Sequence, residues 1–322
     1  MTSAHPSSPS PGHGSYPERV RIVEVGPRDG LQNEALPVPT ETKVAYVDAL
    51  SAAGFGEIEV TSFVHPKLVP QLADASAVLA GIERRPGVVY SALVPNPKGL
   101  ERAVEAGVDR IAVFTAASET FNQKNINATI AESIDRFRPV MDGARAAGIP
   151  VRGYVSTAFV CPFEGEIPVG KAVDVIEQLL DLGVDEISIG DTIGAAVPLQ
   201  VHRLLEALGP ILPLPQTTMH FHDTRGTGLA NVLAPLEHGV AAFDAASGGL
   251  GGCPFAPGAS GNLATEDLVY LLHGLGIQTG LDPAALRKAS DVIELALGWR
   301  LPSRVRRAGP ASVSWDERTE QP

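Results

Sequence analysis

The chain has 322 residues, 44% of them hydrophobic, enough to bury a large core, and a formal net charge of -12. An acidic balance without clustered Lys and Arg excludes a phosphate-backbone partner, so no nucleic-acid function is expected. Two cysteines, Cys161 and Cys253, exclude a disulfide framework, and no apolar run approaches the roughly 20 residues of a membrane span, so a cytoplasmic protein without a membrane partner is expected.

Residues 1–17, rich in Ser, Pro and Gly, read as a disordered tail. The first strand is expected from Val20 to Val25, and it runs directly into Pro27-Arg28-Asp29-Gly30. Further strands are expected at Glu57 to Ser62, Val88 to Val94, Arg110 to Thr115, Val151 to Thr157, Glu186 to Gly190, Thr217 to His222 and Ala241 to Ala245. Between them lie amphipathic segments such as Lys171 to Leu182, where Val173, Ile176 and Leu180 share a helical face. Five of these helical segments end in a glycine followed by an apolar residue: Gly54, Gly107, Gly148, Gly183 and Gly239. Glycine is the usual left-handed helix terminator, so each unit reads helix, cap, strand. Repetition of that unit implies a parallel sheet with helical crossovers.

The alternation predicts an α/β fold, a (β/α)8 TIM barrel, with an open doubly wound sheet as the rival. A single catalytic domain over 18–300 is expected. It includes an extra helix from Asp282 to Leu297, and 301–322 is expected as a disordered C-terminal tail.

Chemistry in such barrels sits at the C-terminal ends of the strands. The residues expected there are Arg28 and Asp29, Glu59, Thr115, Cys161, Asp191 and Thr192, then His220, His222 and Asp223, and finally the glycine-rich run from Gly248 to Asn262. Closure makes the seventh, eighth and first strands neighbours. Asp29 then meets His220 and His222, which point to one face because residues two apart on a strand do so. A carboxylate with two neutral imidazoles suits a six-coordinate divalent cofactor, Mg2+ or Mn2+.

Arg28, between Pro27 and Gly30, reads as a fixed guanidinium able to stabilise an enolate oxygen, against the alternative of a surface arginine lying over the rim. Glu59, a carboxylate among strand residues, is either an orienting partner of that arginine or metal shell, or a structural ion pair. Cys253 lies in a segment with four glycines in the five positions 248–252. A thiol in a mobile loop at the catalytic end reads as reactive, an inert buried thiol being the alternative. Cys161 reads as structural, and His65, His202, His238 and His273 as unpaired background. Neither a Gly-x-Gly-x-x-Gly nor a P-loop spacing is present, so a nucleotide cofactor is not indicated.

Long stretches carry a resemblance. They are Val23 to Glu34 (VEVGPRDGLQNE), Thr61 to Val64, Lys124 to Asn127, Gly190 to Gly194 (GDTIG), His220 to Thr224 (HFHDT), Gly249 to Pro254 (GLGGCP) and Gly258 to Asp267 (GASGNLATED). In these the chain resembles the 3-hydroxy-3-methylglutaryl-CoA lyase family, of the barrel superfamily that also holds isopropylmalate and homocitrate synthases. The resemblance implies a metal held by Asp29, His220, His222 and Asn262, with Arg28 and Cys253 catalytic and Glu59 near the reaction centre. Gln32 and Thr192, in the matching segments, are the expected substrate contacts. Asn262 enters on the resemblance alone.

It further implies an acyl-CoA substrate, cleaved to acetyl-CoA and acetoacetate, and a homodimer. The chain departs from the best-known lyases at Arg225-Gly226-Thr227, where those carry Tyr-Gly-Gln, which leaves open a related substrate such as citramalyl-CoA. A Claisen-type synthase is the reverse reading, and a hydrolase or a scaffold barrel are further rivals. About 47 residues follow Leu275, few for the regulatory domain such synthases carry.

Overall fold

The structure, a computed structural model, describes residues 16–252 and 261–309. Eight strands, β1 (Arg21–Glu24), β2 (Glu57–Ser62), β3 (Val89–Leu93), β4 (Arg110–Ala116), β5 (Val151–Ser156), β6 (Glu186–Asp191), β7 (Thr217–Phe221) and β8 (Ala242–Ala245), close into an all-parallel barrel. The closing pair is β8 with β1, where Ala245 lies level with Glu24, and on the other side of β8 Asp244 lies level with His220. This closure excludes the rival open sheet.

Helices α1 (Thr40–Ala52), α2 (Ala75–Gly81), α3 (Pro97–Glu105), α4 (Glu119–Ile126), α5 (Ile130–Ala147), α6 (Val169–Leu182), α7 (Pro198–Leu208), α8 (Gly228–Glu237) and α9 (Thr265–Gly274) surround the barrel. The five expected glycine caps all take left-handed φ angles, from 68° at Gly148 to 98° at Gly54. In α6 the buried stripe is Ala172, Val175, Ile176, Leu179 and Leu182, while Val173 and Leu180 pack only at its edge, so the apolar face is rotated from the expected one about Ile176. Each fully buried aliphatic side chain of this helix-to-barrel layer contributes roughly 1.5–3 kcal/mol.

The extra helix α10 (Pro283–Leu297) is capped by the Asp282 carboxylate and lies against α1. The chain does not become a tail at residue 301, as the sequence predicts. Leu301 is buried, and a short helix α11 (Arg304–Ala308) follows. The cause is polar. The buried Asp267 carboxylate accepts from the Ser303 hydroxyl at 2.6 Å and from the Arg304 and Val305 amides at 3.0 and 2.9 Å.

The barrel lumen departs from the branched aliphatic filling usual for this architecture. Arg21 and Arg110 both donate to Glu57 and Glu186, and Arg152 bridges Glu186 Oε1 and Asp244 Oδ1, each at 2.8 Å. Each of these side chains comes from a different strand, and they meet because every strand turns one face to the barrel axis. The lumen is thus an ion lattice from its N-terminal end up to the level of His220. Among the described residues, no helix is long and apolar enough to cross a membrane.

Candidate active site

The site begins where β1 ends. The chain turns through a five-residue π-helical segment, Gly26–Gly30, in which the amides of Arg28, Asp29 and Gly30 all converge on the Val25 carbonyl at 3.2, 2.8 and 3.2 Å. Such wide single turns recur at functional sites because they re-aim side chains. Glycine is required at position 26, since a Cβ there would sit 2.4 Å from the Tyr46 hydroxyl and 2.5 Å from Glu24 Oε1.

The turn delivers Arg28 into the barrel mouth, where it is 6% exposed, so it is no surface arginine. Its Nε donates to Glu59 Oε2 at 2.6 Å and its Nη1 to Asp29 Oδ1 at 2.5 Å, while the guanidinium lies 5.4 Å from the Tyr154 ring centre. The two readings of Glu59 merge: its ion pair with Arg28 is what orients the guanidinium, and Tyr154 donates to the same Oε2 at 3.2 Å. Burial alone would lower the Arg28 pKa, but Glu59 and Asp29 outweigh it and fix the cation. Burial raises the Glu59 carboxyl, with Arg28 partly offsetting it.

Beside this pair, Asp29, His220 and His222 each offer a ligand atom, all within 4.8 Å of one another. Closure of the barrel brings them together as the sequence predicts. Asn262 joins them by a route the strand count did not contain. Residues 261–264 run past the C-terminal ends of β7 and β8, with Leu263 N donating to Phe221 O at 2.9 Å, Ala246 N to Leu263 O at 3.0 Å, and isolated bridges joining Asn262 to His222 and Ala264 to Ala246. Asn262 Nδ2 donates to Asp29 Oδ2 at 3.0 Å and to the Leu250 carbonyl at 3.1 Å, which leaves its buried Oδ1 without a partner.

The donor set fits a divalent ion: one carboxylate, two imidazoles and an unclaimed amide oxygen. Burial would raise Asp29, but Arg28 and the two histidines outweigh it and keep the carboxyl ionised. Burial and the neighbouring His220 push His222 down to about 3, so it is a neutral, metal-ready imidazole. His220 Nδ1 faces Asp244 Oδ2 at 3.2 Å; burial would lower its pKa, and that partner raises it instead.

Above these groups opens a cavity of about 600 Å³. Arg28, Asp29, Tyr154, His220 and His222 reach it, and both Gln32 and Thr192 line it, where they can touch a ligand. Thr192 Oγ1 is held by the Thr157 amide at 2.8 Å. An apolar wall is made by Leu93, Phe114 and Phe137, and His65 and Arg136 line the same space. Cys253 lies outside the described residues; Gly252 before it lines the cavity, and its carbonyl accepts from Asn33 Nδ2 at 3.0 Å.

Other expected rim residues turn away. The Thr115 hydroxyl bonds to Ser133 at 2.8 Å, and Asp191 caps the Ala195 and Ala196 amides at 2.9 and 3.1 Å, with burial pushing its carboxyl up to about 6. Asp223 accepts from the Gly228 amide at 2.9 Å and pairs with Arg304. Cys161 is buried against the Ser118 hydroxyl, in keeping with a structural thiol. The four histidines expected as unpaired all have partners: His202 and His238 contact each other at 3.0 Å, His273 bonds to Thr279 at 2.9 Å, and His65 Nδ1 accepts from the Lys67 amide at 3.2 Å. Arg225, at the departure noted above, donates to the Ile193 and Gly194 carbonyls at 2.8 and 3.1 Å and so ties down the loop after β6.

Sequence reasoning missed Tyr154, His65, Arg136 and Asp244. For Tyr154 a signal existed, since Arg152 lies two residues before it on the same strand; Asp244 is the lone polar residue of β8 and gave none. For His65 and Arg136, on a loop and on α5, there was none.

Comparison with known proteins gives a consistent set. The HMGL-like family model matches residues 19–293. The hydroxymethylglutaryl-CoA lyase YngG of Bacillus subtilis is 50% identical over 289 residues, 90% of this chain and 97% of that protein. A Pseudomonas aeruginosa protein named as a 3-hydroxy-3-isohexenylglutaryl-CoA and hydroxymethylglutaryl-CoA lyase is 50% identical over 294 residues, 91% of this chain and 98% of its own. The solved structure of an Acinetobacter baumannii HMG-CoA lyase with coenzyme A and 3-methylmalate superposes with a TM-score of 0.89 at 42% identity, covering 94% of this chain and 98% of that one. The chain therefore belongs to the HMGL-like family.

Proposed function

We propose that this protein is a divalent-metal-dependent carbon-carbon lyase that cleaves 3-hydroxy-3-methylglutaryl-CoA to acetyl-CoA and acetoacetate. The observation that carries the reading is the Arg28 guanidinium, locked between Glu59 and Asp29 at 2.6 and 2.5 Å, beside a triad able to hold a metal on the floor of a substrate-sized cavity. Asp29, His220, His222 and Asn262 would hold Mg2+ or Mn2+, which when bound supplies Lewis-acid polarisation of oxygen ligands.

In the reaction the tertiary 3-hydroxyl loses its proton and the bond between C2 and C3 breaks. The hydroxyl oxygen becomes the ketone of acetoacetate, and the bonding pair passes to C2 as the enolate of acetyl-CoA. Arg28 is placed to stabilise that enolate oxygen, with no reorganisation because its partners already fix it. Asp29 or a water bound beside it takes the hydroxyl proton, because both ring nitrogens of His220, the other group considered as base, are committed. Cys253 returns a proton to C2 from the glycine-rich loop. Gln32 and Thr192 orient the acyl group from the cavity wall.

Acyl-CoA preference beyond methylglutaryl is a second reading. The apolar wall of Leu93, Phe114 and Phe137 supports a larger 3-substituent, and the P. aeruginosa relative is named for such a substrate. A cytoplasmic setting, supported by Cys161 being a free buried thiol, and a homodimer complete the proposal. The test is to incubate the protein with Mg2+ or Mn2+, a reductant and 3-hydroxy-3-methylglutaryl-CoA and assay acetoacetate, with citramalyl-CoA in parallel. Absence of acetoacetate from the first and its analogue from the second would refute the lyase reading.

A further inference from the structure

We propose that Asp244, level with His220 in the barrel wall, is a positioning residue that decides which ring nitrogen His220 presents to the metal. The inference rests on the metal reading above. Asp244 is 1% exposed and all its hydrogen bonds are accounted for by three donors. Oδ1 accepts from Arg152 Nη1 at 2.8 Å, and Oδ2 accepts from the Ser188 hydroxyl at 2.7 Å and from His220 Nδ1 at 3.2 Å. A carboxylate paired with a buried arginine has no proton to give, so the hydrogen in the His220 contact belongs to Nδ1. Nε2 is left with its lone pair, the form a metal requires.

The two histidines are therefore not equivalent. His222 Nδ1 is buried and has no hydrogen-bond partner, so nothing on that side of the ring selects its tautomer. His220 is the anchored ligand, and its anchor continues through Arg152 and Glu186 to Arg21 and Arg110 at the far end of the lumen. The metal site is tied to a lattice that cannot shift without breaking several buried ion pairs.

The substitution Asp244→Asn reverses this arrangement. An amide has one acceptor, and the charged Arg152 claims it more strongly than a neutral imidazole does. The NH2 group then faces His220 Nδ1, which must accept, and the ring proton moves to Nε2, where it blocks the metal.

Two measurements test this. Histidine-selective 15N NMR of the metal-free wild type at alkaline pH, with His220→Gln to assign the signals, reads the tautomer directly; His220 is expected with its proton on Nδ1. Mn2+ binding by equilibrium dialysis is expected to weaken roughly 10- to 100-fold in Asp244→Asn, with folding checked by circular dichroism. A His220 ring protonated on Nε2 in the wild type, or a folded Asp244→Asn protein with unchanged Mn2+ affinity, would overturn the proposal. A wild type that fails to bind Mn2+ would instead overturn the metal reading, and this role with it. An Nε2 proton alongside intact binding would sink the positioning role alone.

Discussion

Asn262 donates from Nδ2 to Asp29 Oδ2 at 3.0 Å across 233 residues of sequence. One bond thus joins the turn after β1 to the segment that bridges the ends of β7 and β8. It turns the Asn262 oxygen free and fixes one Asp29 oxygen, so the two ends of the chain share one pocket of ligands.

Replacing Asn262 by alanine should weaken Mn2+ binding by about tenfold or more, because a ligand oxygen and the tether on Asp29 disappear together. Equilibrium dialysis checks this, and an unchanged affinity would remove Asn262 from the site.

Arg28→Met should reduce kcat by about 100- to 1000-fold, the size found for removal of one oxyanion donor. It should also destabilise the fold by roughly 3–5 kcal/mol, since Glu59 is left buried without its cation. Arg28→Lys separates the effects by restoring the charge but not the two-sided grip. Steady-state kinetics with urea unfolding read both. Normal turnover by a folded Arg28→Met protein would exclude the enolate role.

Glu24 makes stability depend on pH. Its Oε1 accepts from the Gly26 and Ser247 amides at 2.9 and 2.8 Å and its Oε2 from the Thr265 hydroxyl at 2.8 Å, yet burial pushes the carboxyl from 4.5 up to about 8. The folded state therefore holds this proton more tightly than the unfolded chain does. Its contribution is fully present below pH 4.5 and is lost as pH rises through about 8, by on the order of 5 kcal/mol. Glu24→Gln keeps both amide bonds and can donate to Thr265, so it should flatten that decline. Urea denaturation of both proteins across this range is the check, and parallel curves would contradict the assignment.

Arg152→Met should cost roughly 3–5 kcal/mol, because Glu186 and Asp244 lose their shared buried cation. The unfolding midpoint should fall while the strand circular dichroism of the remaining folded protein stays unchanged. A shift within experimental scatter would mean that the lumen lattice carries little of the stability.

The barrel was legible because its signals are local: strand-length apolar runs and glycines that end helices in a left-handed turn. The Asp29 and His220-x-His222 convergence was legible from strand periodicity plus closure. Two things were hidden. Asn262 reaches the site on a segment outside the regular strands and without periodicity, so only resemblance could name it. Arg21, Glu57, Arg110, Arg152, Glu186 and Asp244 each look like an ordinary interruption of a strand, and their lattice exists only once eight strands face one axis. The ordered segment at 301–309 was hidden for a similar reason, since Asp267, which gathers it, lies more than thirty residues earlier.

The most direct test is an anomalous-difference map from crystals of the protein grown with Mn2+. The account predicts one strong peak within coordination distance of Asp29, His220, His222 and Asn262, at the floor of the cavity beside Arg28. A peak elsewhere, or none there at full Mn2+ occupancy of the solution, would contradict it.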